Sequence, residues 1–275
     1  MNPKLRNFLS PPSFKGWLKS LLRSFILGYV ILIIAALNVN HLLFHPPGHH
    51  VDFPGQVKLH TAAGDDITAL YQPNPQAAYV VLFSYGNGED MASNHDYMVA
   101  LHNRGWGTCG YDYPGYGTSS GKPSEAGCIA AIDAVYDYLT KEQHIPAERI
   151  ILYGHSLGSG PTIDLASRKP VGGLILEGAY LSIFRVVTHF RVLPWDVFNN
   201  IAKISSIHVP LLSIHALNDH TVPFWHGEKL YDTYTGPKQN YWVPNADHNT
   251  ILEVAWQPYW EAVEKYRESL PLKNP

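Results

Sequence analysis

The stretch Ile150-Ile151-Leu152-Tyr153-Gly154-His155-Ser156-Leu157-Gly158-Ser159-Gly160 constrains this chain more than any other. A short apolar run stops at Gly154, a serine stands two residues later, and small residues lead into a helix predicted over 161–168. Such a G-x-S-x-G turn ends a strand, holds the serine in a strained conformation and opens a helix. The glycines are required because the strand and helix backbones nearly touch, so that a Cβ would clash. The hydroxyl of Ser156 then stands above the sheet edge, and the backbone N–H of Leu157, at the helix N-terminus, points at any oxyanion formed there.

The pattern occurs twice, so context has to decide. Gly117-Thr118-Ser119-Ser120-Gly121 also matches, but it follows a Tyr-Pro-Gly-Tyr-Gly loop, and Lys122-Pro123 breaks the chain directly after it. That copy reads as a turn, which leaves Ser156 as the nucleophile and Ser119 as a loop residue.

The chain has 275 residues and 45% hydrophobic content, enough for one large α/β domain. Its formal charge of −3 is unevenly spread. The first 51 residues hold Lys4, Arg6, Lys15, Lys19 and Arg23 and no acid, a charge of +5 that leaves −8 for the rest. An acidic body gives no reason to expect a nucleic-acid partner. Cys109 falls in a strand-like run and Cys128 in a helix-like one, so two buried free thiols are expected rather than a disulfide or a metal site.

Residues 1–23 form a basic N-terminal segment whose interspersed Phe and Leu residues suit a membrane surface. Residues 24–44 make an almost uncharged apolar span, long enough to cross a bilayer core of ~30 Å. Three readings compete: an uncleaved transmembrane anchor, a cleaved signal peptide and a buried core helix. The anchor is favoured, because Ala35-Ala36 is a poor cleavage site and the segment lacks an amphipathic stripe. Basic flanking charge predicts a cytoplasmic N-terminus and a body on the far side, in a periplasm, a lumen or outside the cell. Residues 45–56 read as a solvated linker; His45, His49 and His50 lack the supporting structure of a metal site.

From residue 57 to 275 one domain is predicted. Runs at 57–60 and 67–71 alternate like a hairpin. Strands are then expected at 79–84, 107–111, 150–154, 173–177, 210–215 and 239–243, with helices at 93–103, 124–139, 161–168 and 252–269. This alternation predicts a doubly wound, mostly parallel sheet with helices on both faces. The loop Tyr85-Gly86-Asn87-Gly88-Glu89-Asp90 exposes backbone N–H groups on the same sheet edge as Ser156. It reads either as a second oxyanion donor or as an ordinary strand–helix turn, and the first is favoured. Residues 179–206 form a short cap rich in large apolar groups. Some belong to core packing, whereas Phe184, Phe190 and Trp195 are assigned to an acyl-binding pocket.

Ser156, Asp219 and His248 occur in the order serine, acid, histidine, each on a loop after a predicted strand. A histidine takes the serine proton and later returns it to the leaving group, and the acid fixes the imidazole tautomer. Asp112 precedes the serine and is expected to hold a tight loop. Asp247 is too near His248 in sequence to reach its ring edge easily. His155 and His220 are expected to be loop residues.

With these motifs in place, the chain resembles the membrane-anchored α/β-hydrolase-domain serine hydrolases, whose members include protein depalmitoylases, lysophospholipid lipases and bacterial single-pass proteins. The matching stretches are Phe83–Gly88, Tyr111–Gly117 with Ser120–Ser124, the Ser156 turn, Ile214–Asp219 with Val222-Pro223, and Asp247-His248-Asn249. The resemblance implies an α/β-hydrolase fold. It also implies a triad of Ser156, Asp219 and His248, and oxyanion donors at the N–H groups of Asn87 and Leu157. No metal or cofactor is implied. Two departures stand out: Tyr85-Gly86 replaces the family's histidine-glycine, and no cysteine precedes Cys109, unlike the depalmitoylases' cysteine-rich N-terminus. The expected function is hydrolysis of an acyl ester or thioester at a membrane. A serine peptidase and a catalytically silent binding fold are the alternatives.

Overall fold

In a computed structural model, residues 14–48 and 50–272 are described. The chain divides into two compact units, Met1–Leu43 and Phe44–Pro275. The first contains α1 (Phe14–Leu37) and the short α2 (Val39–Leu43), separated at Asn38. The 24 residues of α1 rise about 36 Å at ~1.5 Å each, which matches a bilayer core. The helix begins ten residues before the apolar span predicted from residue 24, because Leu and Lys favour helix as well as the aliphatic run does. Lys15, Lys19 and Arg23 recur every fourth residue and so share one side of its first turns. By length and composition α1 is able to cross a membrane, a test that a signal sequence also passes. Residues 1–13 of the predicted basic segment lie outside the described residues.

The second unit is built on eight strands: β1 (Val57–His60), β2 (Asp66–Gln72), β3 (Val80–Ser84), β4 (Gly107–Tyr111), β5 (Ile150–His155), β6 (Gly173–Glu177), β7 (Leu211–Ala216) and β8 (Lys238–Val243). Their order is β1-β2-β4-β3-β5-β6-β7-β8. β1 pairs with β2, and β2 with β4, in antiparallel fashion; every later pairing is parallel. β3, β4 and β6 are buried along their whole length, which is why their sequences read as continuous apolar or small-residue runs rather than alternating ones. The chain runs from β3 to β4 on one side and continues with β5 on the other. The loops after β3 and β5 therefore diverge at a topological switch point, where open sheets of this kind form their crevice.

Helices α3 (His95–Asn103), α4 (Glu125–Asp137), α5 (Ser159–Arg168), α6 (Ile183–Thr188), α7 (Trp225–Thr233) and α8 (Ile251–Ser269) complete the unit. α4 opens where the sequence marks it, with the Ser124 hydroxyl accepting the N–H of Gly127 at 3.0 Å. One aromatic cluster joins the sheet to α3 and α8: Phe83 and Tyr153 from β3 and β5 meet Tyr97, and Tyr97 stacks on Trp260 with ring centroids 5.6 Å apart. The Arg104 guanidinium covers Trp260 at 3.9 Å.

Two local features depart from expectation. α8 is not one straight helix: Ala255 has non-helical angles, one turn before Pro258, whose missing N–H and ring prevent a continuous ladder. The described part of segment 45–56 lies along the body rather than standing free. His45 N–H donates to Asn87 Oδ1 at 3.1 Å, the His50 ring contacts the Gly117 carbonyl at 2.6 Å, and Phe53 stacks on His95.

The 179–206 segment contains α6 and two short 3-10 turns. Asp196 holds it together, accepting from Ser182 Oγ at 2.6 Å and from the N–H groups of Phe184 and Val197. A Cβ on Gly160 would lie 2.4 Å from the Phe198 ring and 2.7 Å from the Tyr180 hydroxyl, so this segment packs closely on the start of α5.

Candidate active site

Ser156 follows β5 with φ = +49°, a left-handed conformation that costs a non-glycine residue about 1 kcal/mol or more. Its neighbours allow the turn. A Cβ on Gly158 would lie 2.1 Å from the Ser84 carbonyl oxygen and 2.7 Å from that of Tyr85, and a Cβ on Gly154 would lie 2.7 Å from Ser159 Cα. The turn is thus wedged against the end of β3 as well as against its own helix.

Three loops converge on this serine. Ser156 Oγ lies 2.8 Å from His248 Nε2, and His248 Nδ1 lies 2.6 Å from Asp219 Oδ2. With Asp219 ionised, Nδ1–H donates to the carboxylate and Nε2 is the acceptor facing the serine hydroxyl. Burial alone would raise the Asp219 carboxyl. Hydrogen bonds from His215 and His248, His248's charge and the Val222 N–H outweigh it and hold the group below the usual carboxylate range. Asp219 Oδ1 also accepts the N–H groups of Thr221 and Val222 at 2.9 and 2.6 Å. Gly178, at φ = +58°, makes room for the imidazole: a Cβ there would lie 2.8 Å from His248 Cε1.

The other acids have different work. Asp247 accepts the backbone N–H groups of His220 and His248 at 2.9 and 2.7 Å, so it shapes the loop and leaves the ring edge to Asp219. Asp112 Oδ1 accepts the Met91 N–H at 2.8 Å, and burial pushes its carboxyl up to about 6. Ser119 Oγ accepts the N–H of Thr68 in β2 and donates to the Asp112 carbonyl, so it ties its loop to the sheet.

Leu157 is buried in the turn between Ser156 and α5, and its carbonyl accepts the Tyr180 hydroxyl at 3.1 Å. The Asn87 side chain is turned toward the body, its Oδ1 accepting from Tyr116 Oη at 3.0 Å as well as from His45. Tyr85, in place of the family's histidine, is fully buried, with its hydroxyl 3.3 Å from Met98 Sδ. Phe184 is partly buried, while Phe190 and Trp195 are 67% and 39% exposed. None of the three lines the cleft of about 280 Å³ that borders His248. Among the described residues no cluster suited to a metal ion is found.

That cleft holds side chains that sequence reasoning left as loop or strand residues. His155 Nδ1 lies 3.3 Å from Glu89 Oε2, and the His155 ring stacks beside His248 with centroids 5.7 Å apart. Glu177, at the end of β6, accepts from the hydroxyls of Tyr153 and Tyr259. The signal for this group was positional: Glu89, His155 and Glu177 all follow or end neighbouring strands on one sheet edge.

Burial would raise Glu89, but the His155 charge and hydrogen bond, with the Gly86 N–H, bring it down to about 2. Burial would lower His155, but Glu89 and the charges of Glu177 and Asp219 bring it up to about 9. The depressed carboxyl stabilises the fold above its ordinary value of 4.5, and this is lost as pH falls through about 2. The raised imidazole stabilises it fully below 6.5, and this is lost as pH rises through about 9. The Tm advantage of the wild type over Glu89→Gln is therefore expected to be greatest between pH 4.5 and 6.5 and to shrink on either side. An advantage that grew between pH 6.5 and 9 in thermal melts would contradict the pairing.

Comparison with known proteins places the fold. Residues 79–184 match the family model for the α/β-hydrolase fold. The chain is 36% identical over 185 residues to the α/β-hydrolase domain-containing protein aho-3 of Caenorhabditis elegans, a match spanning 66% of this chain and 56% of that protein. It is 37% identical over 195 residues to α/β-hydrolase domain-containing protein 17B of Xenopus tropicalis, covering 70% of this chain and 68% of that one. In fold, it superposes on the esterase Pf2001 of Pyrococcus furiosus with a TM-score of 0.70 at 15% identity, over 82% of this chain and 97% of the esterase. An α/β serine hydrolase homologue from Coxiella burnetii gives 0.58 at 15% identity, over 80% and 97%. The chain belongs to the α/β-hydrolase family, among the relatives of α/β-hydrolase domain-containing protein 17.

Proposed function

We propose that the protein is a membrane-anchored serine hydrolase that cleaves carboxylic ester or thioester bonds of acyl-bearing substrates through an acyl-enzyme. The observation that carries this reading is the hydrogen-bonded chain from Ser156 through His248 to Asp219 at a strained turn. Ser156 Oγ attacks the carbonyl carbon as His248 Nε2 takes its proton. The tetrahedral oxyanion is met by the N–H groups of Leu157 and Asn87. Collapse expels the alcohol or thiol, which takes the proton back from His248, and the acyl group stays on Ser156. Water, activated by the same imidazole, then releases the acid. Asp219 keeps the imidazole in the productive tautomer and stabilises it when charged.

Phe184, Phe190 and Trp195 are proposed to meet the acyl chain. All three belong to the segment that packs on the start of the Ser156 helix through Phe198 and Tyr180. The long apolar α1 supports anchoring, and the basic residues before it and in its first turns, all ahead of the apolar span from residue 24, support a cytoplasmic N-terminus with residues 57–275 on the far side.

Two experiments test this. With full-length protein in detergent and a short-chain p-nitrophenyl ester, Ser156→Ala is expected to abolish turnover. Asp219→Asn and His248→Ala should each lower it by roughly 10³ or more, and Ser119→Ala should retain it. A larger loss in Asp112→Asn than in Asp219→Asn, at equal folding, would reassign the acid. For topology, an epitope after Pro275 in sealed vesicles that present their cytoplasmic face is expected to resist added protease. Cleavage without detergent would overturn the crossing.

A further inference from the structure

We propose that Glu89 is a positioning residue that clasps the loop after β3 to the turn carrying Ser156 and so sets the spacing between nucleophile and oxyanion donors. The proposal rests on the reading of Ser156 as nucleophile and goes beyond it in naming what holds the site together.

The β3–β5 ladder ends at the pair Ser84 and Gly154. Beyond that pair no strand pairing joins the two segments, yet both must be held together, because Asn87 lies three residues past the end of β3 and Ser156 two residues past Gly154. Glu89 Oε2 supplies the next link. It accepts the Gly86 N–H at 2.8 Å, lies 3.3 Å from His155 Nδ1, and accepts from Asn94 Nδ2 at 3.2 Å. Gly86 immediately precedes Asn87, and His155 immediately precedes Ser156. One carboxylate oxygen therefore grips the residue before each half of the site.

The local backbone is shaped around this grip. A Cβ on Gly86 would lie 3.0 Å from both Glu89 Oε2 and His155 Nδ1, so glycine leaves the space in which the carboxylate and imidazole meet. Asn94, just before α3, anchors the carboxylate from the far side, and its Nδ2 also reaches the Asp90 carbonyl. His155 in turn stacks beside the His248 ring, so the clasp also backs the general base. The charged groups facing His155 are Glu89, Glu177 and Asp219, and together they favour its cationic form, which strengthens the grip at neutral pH.

Oxyanion stabilisation depends on donors held within a few tenths of an ångström of the developing charge, and removal of one donor costs about 10²–10³ in kcat. A clasp that lets the loop drift should cost part of that. It should do so in the transition state, where the oxyanion exists, and hardly at all in ground-state binding. A pair that served stability alone would lower Tm and leave the kcat of the folded fraction intact.

The test uses the full chain in detergent, p-nitrophenyl butyrate and an alkyl boronic acid. The Ser156 oxygen adds to boron, its proton passes to His248, and a tetrahedral boronate with an oxygen at the oxyanion position results. Glu89→Ala is expected to lower kcat about 10-fold or more, with KM within about twofold and boronate affinity reduced by the same factor as kcat. Glu89→Gln, which keeps an acceptor for the Gly86 N–H but loses the charge, should fall between Glu89→Ala and wild type. It guards against a folding defect in the alanine variant. If both variants keep kcat and boronate affinity within twofold of wild type, in protein shown to be folded at assay temperature, the clasp is refuted while the Ser156 reading stands. If wild-type turnover survives Ser156→Ala, the nucleophile reading fails and the clasp falls with it.

Discussion

The approach of two backbones at Gly158 is the constraint on which the rest of the site depends. The turn after β5 passes so close to the end of β3 that a single added carbon would overlap the Ser84 carbonyl. Cores and backbones packed at this density do not absorb an extra methyl group cheaply; overpacking costs about 1–3 kcal/mol even among side chains. That closeness holds Ser156 in its left-handed conformation and presents its hydroxyl to the His248 loop. It also brings the loop after β3 alongside, so the segment carrying Asn87 is positioned by the same contact.

Around this fixed point the sheet edge gathers ionisable groups from several strands. Asp219, on the loop after β7, is held ionised by hydrogen bonds that outweigh its burial, and it orients His248 from below. His215 reaches the same carboxylate at 3.3 Å while its Nε2 also contacts the Val222 carbonyl. Glu89 and His155 form a second pair beside the first, and Glu177 a third carboxylate, bonded to two tyrosine hydroxyls. Charged groups this close in a partly dry site interact more strongly than at the surface. Their arrangement therefore fixes protonation states as well as positions.

Much of this was legible in the chain itself. Ser156 and Asp219 each follow a buried strand, which announces itself as a continuous apolar run ending at a glycine, a turn or a polar loop, whereas His248 follows the half-buried β8, whose sequence opens on the polar Lys238-Gln239-Asn240. Ser119 could be set aside because no strand directly precedes it, and its hydroxyl is indeed spent on the Thr68 N–H of β2 and the Asp112 carbonyl. The sheet was legible from its alternation, though the insertion of β4 between β2 and β3 was not, since pairing order is a long-range property. For the same reason the Glu89–His155 pair escaped notice: its members are 66 residues apart and meet only through the β3–β5 register. The bend at Ala255 carried a local sign in Pro258, overlooked because the apolar spacing around it reads as one helix. The residues proposed to meet the acyl chain were the least legible part. Large apolar residues such as Phe190 and Trp195 look alike in sequence whether they line a pocket or face solvent.

Reaction with a fluorophosphonate probe tests the central claim most directly, because it reads the activated serine without assuming a substrate. Intact-mass analysis of the full-length protein, followed by peptide mapping, is expected to find one adduct, on the peptide containing Ser156. Absence of an adduct on folded protein, or an adduct on another serine such as Ser119, would contradict the account.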